Sequence, residues 1–233
     1  MGKITINGKE YLYNPYHNAL TLARIQVQIA QDRSFLKVFR VNMTDDFISS
    51  MKDIVNPKIR NEQNTIWNVY GETGTGKTMS VMSLVKEITP DTFTYKNVVF
   101  FNQQVLDKAK EIGRDTFIIR DETVGMYGIG SNRIETDLDI LAETCRKAGV
   151  NLAFLSGEEK HIGVAKYILM TVDIDYVNRI TRLALKDPVT NSYMGAVYVK
   201  VLPVDDYDWV EYNKAKDELV TGSLSANLVI LLT

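Results

Sequence analysis

One cysteine in 233 residues, Cys145, excludes an internal disulfide and the small secreted folds that depend on such cross-links. Its place on an apolar helical face reads as a small packed hydrophobe rather than a nucleophile. The two histidines, His17 and His161, stand at no metal-ligand spacing from the cysteine or from each other, so no zinc site is expected. Nowhere do about 18 apolar residues run together, which argues against a membrane-spanning helix. Residues 1–8 carry no apolar stretch behind their charge, so no secretory signal is read there, and an intracellular protein is expected. The tail Leu224 to Leu232 is apolar but too short to span, and it is expected to pack on the fold or form a subunit contact. A net charge of −2 gives no overall attraction to nucleic acid or to an anionic membrane, so a polyanion would have to meet a local patch or an oligomer's pore.

What is present, 45% hydrophobic and 24% charged residues, is ordinary globular composition without repeats or low-complexity segments. Asn7-Gly8 inside an alternating stretch predicts a β-hairpin over residues 3–13. Leu20, Ala23, Val27 and Ala30 recur at helical spacing, and a second helix is expected from Thr44 to just before Asn56-Pro57. From about residue 61 strands and helices alternate. Strands are expected at 65–70, 97–101, 116–119, 151–155 and 180–185, with helices at 77–88, around 164–170, near 209–219, and from Ile134 to Gly149. A hairpin is read through Tyr193 to Val201. The expected fold is α/β, a mainly parallel sheet flanked by helices. The chain divides into an N-terminal hairpin and helices (1–60), a core (61–220) and an apolar tail (221–233).

The sharpest motif is Gly71-Glu72-Thr73-Gly74-Thr75-Gly76-Lys77-Thr78, which satisfies G-x-x-x-x-G-K-[ST] between an apolar strand and a helix. Glycines let successive N–H groups point inward as a nest, and a helix N-terminus adds its positive dipole end, so the segment suits a nucleoside triphosphate. Lys77 can reach the β- and γ-phosphates, and the Thr78 hydroxyl is a hard ligand for Mg²⁺. The second motif, Phe117-Ile118-Ile119-Arg120-Asp121-Glu122, is an apolar strand ending in adjacent carboxylates. After a P-loop it reads as Walker B, with Asp121 toward the Mg²⁺ shell and Glu122 positioning or deprotonating the attacking water. A carboxylate next to the metal aspartate favours hydrolysis over phosphoryl transfer. No Asn-Lys-x-Asp segment occurs, so ATP is expected rather than GTP.

These segments, with Cys145-Arg146-Lys147-Ala148-Gly149-Val150-Asn151-Leu152 running into Ala153-Phe154-Leu155-Ser156, resemble the additional-strand P-loop ATPases. Within them they resemble the HerA/FtsK-like motors that include viral genome-packaging ATPases. The resemblance covers residues 62–185 and implies a strand inserted between the two Walker strands, a homo-oligomeric ring, and DNA as the moved polymer, in a host cell if the protein is viral. Where that family ends the inserted strand in Thr-Gln, this chain has Ser156-Gly157-Glu158-Glu159. Ser156 could still hydrogen-bond a phosphate or the water, whereas a carboxylate at Glu158 would repel the γ-phosphate unless it pointed away.

Arg133 and Arg146 are the candidates for an arginine finger supplied to a neighbouring subunit; a salt bridge of Arg146 with Glu143 or Glu135 is the alternative. The loop Gly125 to Asn132, with Tyr127 at its centre, is a candidate polymer contact. Two readings from different classes stand beside the motor: an AAA+-like switch or helicase loader acting on protein partners, and a secretion-type ATPase.

Overall fold

The computed structural model describes residues 2–6, 9–13, 43–55, 64–114, 116–121, 131–159 and 162–231; for 2–6, 9–13, 131–137, 220 and 222–231 only the backbone is described. The expected helix at Leu20 to Ala30 lies outside these residues. The opening hairpin pairs β1 (Gly2–Ile6) with β2 (Lys9–Tyr13) antiparallel, Ile6 opposite Lys9, as expected for residues 3–13; Asn7-Gly8 itself lies outside the described residues. Helix α1 (Thr44–Val55) follows the expected bounds.

The body is a seven-stranded mixed sheet, mostly parallel, with helices on both faces. Its strands are β3 (Ile66–Tyr70), β4 (Val98–Val99), β5 (Phe117–Arg120), β6 (Asn151–Ser156), β7 (Tyr167–Asp175), β8 (Ile180–Lys186) and β9 (Tyr193–Lys200). They lie in the order β4-β5-β6-β3-β7-β8-β9, parallel from β4 to β7 and antiparallel at β8 and β9. Strand β6 thus separates β3 from β5.

Being covered twice, the central strands carry continuous apolar runs, and alternate residues serve opposite faces. Trp67, Val69, Phe117, Ile119, Ala153 and Leu155 meet α1, α2 (Lys77–Ile88) and α5 (Tyr207–Leu231). Ile66, Ile118, Leu152 and Phe154 meet α3 (Asn102–Glu111) and α4 (Ser131–Ala148). Trp67 is fully buried, with the Phe117 and Phe47 rings at 4.7 and 5.7 Å between centroids. Cys145 packs in the second layer as a small hydrophobe, and α4 ends at Gly149.

Four elements differ from the sequence reading. The strand expected at 97–101 is only Val98–Val99 long, because Gln104 accepts the N–H groups of Phe100 and Phe101 and turns the chain into α3. That helix was not anticipated, since only Val105 and Ala109 of its ten residues are buried. The helix expected around 164–170 is instead the start of β7. A short apolar run cannot be told from a buried strand by period alone, and the β-branched Thr171, Val172 and Ile174 that follow pair it between β3 and β8. Lastly, the helix near Trp209 continues to Leu231, so the apolar residues 221–231 are helical.

Candidate functional site: the loop between β3 and α2

The segment Gly71–Thr78 connects the C-terminal end of β3 to α2. Gly71 has φ 153°, and a Cβ there would stand 2.0 Å from Thr171 Oγ1 and 2.9 Å from the Thr171 carbonyl oxygen, so β7 passes too close for any side chain. Gly76, at φ 77°, is the residue from which α2 starts; a Cβ on it would meet Ile174 Cδ1 at 2.9 Å. No side chain caps the start of α2, so its first N–H groups face the loop's concavity.

The loop is held in shape from β7 and its turn. Thr75 Oγ1 lies 2.8 Å from Thr171 Oγ1 and donates to the Glu72 carbonyl at 2.7 Å. The Tyr176 hydroxyl donates to the Gly74 carbonyl at 2.9 Å. Lys77 folds back over the loop, its Nζ donating to the carbonyls of Gly71 at 2.6 Å and Glu72 at 2.9 Å. Neither carbonyl carries a formal charge, so these two contacts do not neutralise the ammonium.

On the other flank, Thr78 Oγ1 donates to Asp121 Oδ1 at 3.1 Å. Asp121 directly follows β5, is 3% exposed, and is anchored by its own N–H on the Val99 carbonyl at 2.8 Å. Its second oxygen, Oδ2, accepts Lys216 Nζ at 2.8 Å and the hydroxyl of Tyr212, both from α5. Lys216 Nζ in turn donates to the Tyr212 hydroxyl at 2.8 Å. Burial, with the charge of Asp121 beside it, pushes the Tyr212 phenol well above its ordinary range, so it acts as a neutral donor. Helix α5 is fixed at its start too, where Lys86 at the end of α2 reaches Asp208 at 2.7 Å and Asp206 at 3.1 Å. Burial works against the Lys86 charge, but the hydrogen bonds to Asp208 and Asp206 outweigh it and raise its pKa.

A hydroxyl and a carboxylate oxygen so close together form a hard donor set that suits Mg²⁺ rather than a soft metal. Among the described residues no group of three or more His, Cys, Asp or Glu could hold a metal ion alone. A cation at Thr78 and Asp121 would therefore complete its shell with water and with oxygens of an anion held by the loop's N–H groups.

The other sequence candidates are placed as follows. Ser156 pairs in register with Tyr70, the residue before the loop, but its buried hydroxyl donates to the Glu158 carbonyl. Of the two carboxylates after it, Glu158 is exposed and Glu159 is held by Lys186 at 2.8 Å. Lys186 is 1% exposed and also contacts the Tyr70 hydroxyl at 3.4 Å. Arg146 lies on the surface of α4 in a two-pronged pair with Glu143, at 2.7 and 2.6 Å, which lowers the Glu143 pKa. Glu122 and the loop 123–130 lie outside the described residues, and so does the side chain of Arg133, whose backbone is in α4. His17 and His161 lie outside them as well.

Tyr212, Lys216 and Lys186 were missed in the sequence. Tyr212 and Lys216 do share a helix face by their i,i+4 spacing. Yet nothing local says that this face meets a strand end 91 and 95 residues away. Among the described residues no helix is long and apolar enough to cross a membrane. No protein-family model and no curated protein gives a significant match to this chain.

Proposed function

We propose that this chain binds ATP with Mg²⁺ at Gly71–Thr78 and hydrolyses it, as an additional-strand P-loop ATPase. The observation that carries the reading is the meeting of Thr78 and Asp121, which joins two motifs 43 residues apart into one oxygen-lined corner beside the glycine loop. The position of β6 between β3 and β5 is the strand order that the resemblance implies. In this reading the loop N–H groups and Lys77 hold the β- and γ-phosphates, and Thr78 and Asp121 hold the cation. Glu122, next to Asp121, aligns and deprotonates the attacking water. The Mg²⁺ ion supplies charge neutralisation between the β- and γ-phosphates when it is bound.

As a molecular role we propose a HerA/FtsK-like nucleic-acid motor that works as a homo-oligomeric ring, in DNA translocation or genome packaging. The rival AAA+-like loader needs a helical bundle after the sheet; beyond β9 the described residues form the single helix α5, which favours the motor. With a net charge of −2, DNA affinity must arise from assembly, where Lys and Arg residues and the segments Gly125 to Asn132, whose last two residues open α4, gather around one axis. Sizing with and without a non-hydrolysable ATP analogue, followed by turnover with single- and double-stranded DNA at low salt, tests this role. Nucleotide-dependent assembly and DNA-stimulated turnover that falls steeply with salt are expected. An assembled, ATP-loaded oligomer indifferent to DNA contradicts the motor and favours the protein-client switch.

A further inference from the structure

The Asp121 carboxylate is divided between two elements. Its Oδ1 accepts Thr78 at 3.1 Å from the phosphate loop, and its Oδ2 accepts Lys216 at 2.8 Å together with Tyr212 from α5. A carboxylate 3% exposed requires a positive partner, and Lys216 supplies it through a side chain that remains 31% exposed. The ammonium is therefore at the rim of the site, on a flexible stem, one carboxylate away from the hydroxyl that faces the cation position.

We propose that Lys216 is a catalytic residue that reads the terminal phosphate: a cation supplied in cis by α5, paired with Asp121 until a triphosphate arrives and then donating to the γ-phosphate. The inference rests on the ATP reading above. Asp121 has no need of two cations at once, and an ammonium beside a divalent ion is repelled. Lys216 gives up Oδ2, while the neutral Tyr212 hydroxyl keeps it. The anion next to that corner is the terminal phosphate, which shares the cation held by Thr78 and Asp121. A diphosphate lacks this oxygen cluster, so the contact discriminates ATP from ADP. It also stabilises charge at the γ-phosphate during transfer to water, the task otherwise given to a finger from a neighbour. Arg146 does not perform it within the chain, being engaged with Glu143 on the outer surface of α4.

The same geometry supplies a reporter. Trp209 is partly buried and stacks on Tyr212 at 5.3 Å between ring centroids, and Lys216 Nζ lies 5.4 Å from the centroid of that Tyr212 ring, so departure of Lys216 changes the surroundings of the stacked pair. Trp67, the other of the two tryptophans, is fully buried and gives a constant background.

The test compares Mg²⁺-dependent binding of ADP and of a non-hydrolysable ATP analogue to the full-length wild type, Lys216→Met and Lys216→Arg, with tryptophan emission recorded throughout. In the wild type the triphosphate analogue is expected to bind tighter than ADP and to change the emission, whereas ADP does not. Lys216→Met is expected to lose about tenfold of that preference, as fits one charge-assisted hydrogen bond, with ADP affinity nearly unchanged. Its emission response disappears, and Lys216→Arg restores both in large part. An unchanged triphosphate-to-diphosphate ratio in Lys216→Met, or an equal loss for both nucleotides, overturns this inference alone. If the wild type binds neither nucleotide, the ATP reading falls and takes the inference with it.

Discussion

Thr78 and Asp121 stand 43 residues apart in sequence and 3.1 Å apart between Oγ1 and Oδ1. Thr78 is in the first turn of α2, and Asp121 follows β5, so the contact fixes the loop against the strand end beyond β6. The Lys216 and Tyr212 contacts on Oδ2 make Asp121 a junction of loop, strand and C-terminal helix.

Asp121→Asn keeps the shape of this junction and removes its charge. Lys216, 31% exposed, can then turn to solvent, so the expected stability loss is small, on the order of 1 kcal/mol. Mg²⁺-dependent ATP binding should fall at least about tenfold, because the corner loses its anionic ligand. Calorimetric titration with Mg²⁺ and again with EDTA checks this. Equal binding by mutant and wild type in Mg²⁺ would remove Asp121 from the cation site.

Gly71→Ala and Gly74→Ala should behave differently. A methyl at Gly71 lands 2.0 Å from Thr171 Oγ1 and 2.9 Å from its carbonyl oxygen, whereas at Gly74 nothing lies within 4 Å and only φ 85° is unfavourable. Gly74→Ala should cost about 1–2 kcal/mol from backbone strain, and Gly71→Ala more, with loss of the loop's conformation. Thr171→Ala should rescue Gly71→Ala only in part, since the backbone oxygen stays. Denaturant unfolding of the three single and double variants measures each quantity.

Arg146→Ala breaks an exposed, solvent-screened pair and should leave stability nearly unchanged. A loss of turnover on the order of 10³-fold would then mean a role on a neighbour's nucleotide. Mixing Arg146→Ala with Glu122→Gln subunits should restore some activity if one interface recovers both intact halves. Unchanged turnover in Arg146→Ala makes the residue a surface ion pair only.

Burial pushes the Cys145 thiol up to about 12, far above its value in an unfolded chain. The unfolded state therefore loses its proton first, so this group's contribution is complete below about pH 8.5 and is lost progressively as pH rises toward 12. The unfolding free energy of the wild type should decline more steeply between about pH 9 and 11 than that of Cys145→Ala, which itself starts about 1 kcal/mol lower. Alkylation at pH 8 should be slow in the folded protein and fast in denaturant. Parallel pH profiles for the two proteins would contradict the burial argument.

The glycine loop, β3, α2, β5 and β6 were legible because their signals are local: glycines at fixed spacing, apolar runs, and a strand ending in carboxylates. The mixed character of the sheet beyond β3 was less so. Residues 167–170 form an apolar run whose period does not separate helix from strand, and pairing with Trp67 to Tyr70 decided for β7. Within the candidate site, Thr78 and Asp121 could be named from motifs, but Tyr212 and Lys216 could not. On a helix face, Tyr212 reads as core and Lys216 as a solvated charge, and only the packing of α5 against β5 turns them toward Asp121. Lys186, just before Asp187-Pro188, carries no local sign of burial in the sequence, yet it is 1% exposed and paired with Glu159.

The central claim is that one loop binds ATP and the carboxylate after Asp121 drives its hydrolysis, and steady-state turnover with parallel ATP binding in Mg²⁺ tests it most directly. The wild type should bind and hydrolyse ATP, and Lys77→Ala should lose most of the binding. Glu122→Gln should bind ATP as the wild type does but turn it over at least about 10²-fold more slowly. Turnover by Glu122→Gln at the wild-type rate, or binding by Lys77→Ala as tight as the wild type's, would contradict the account.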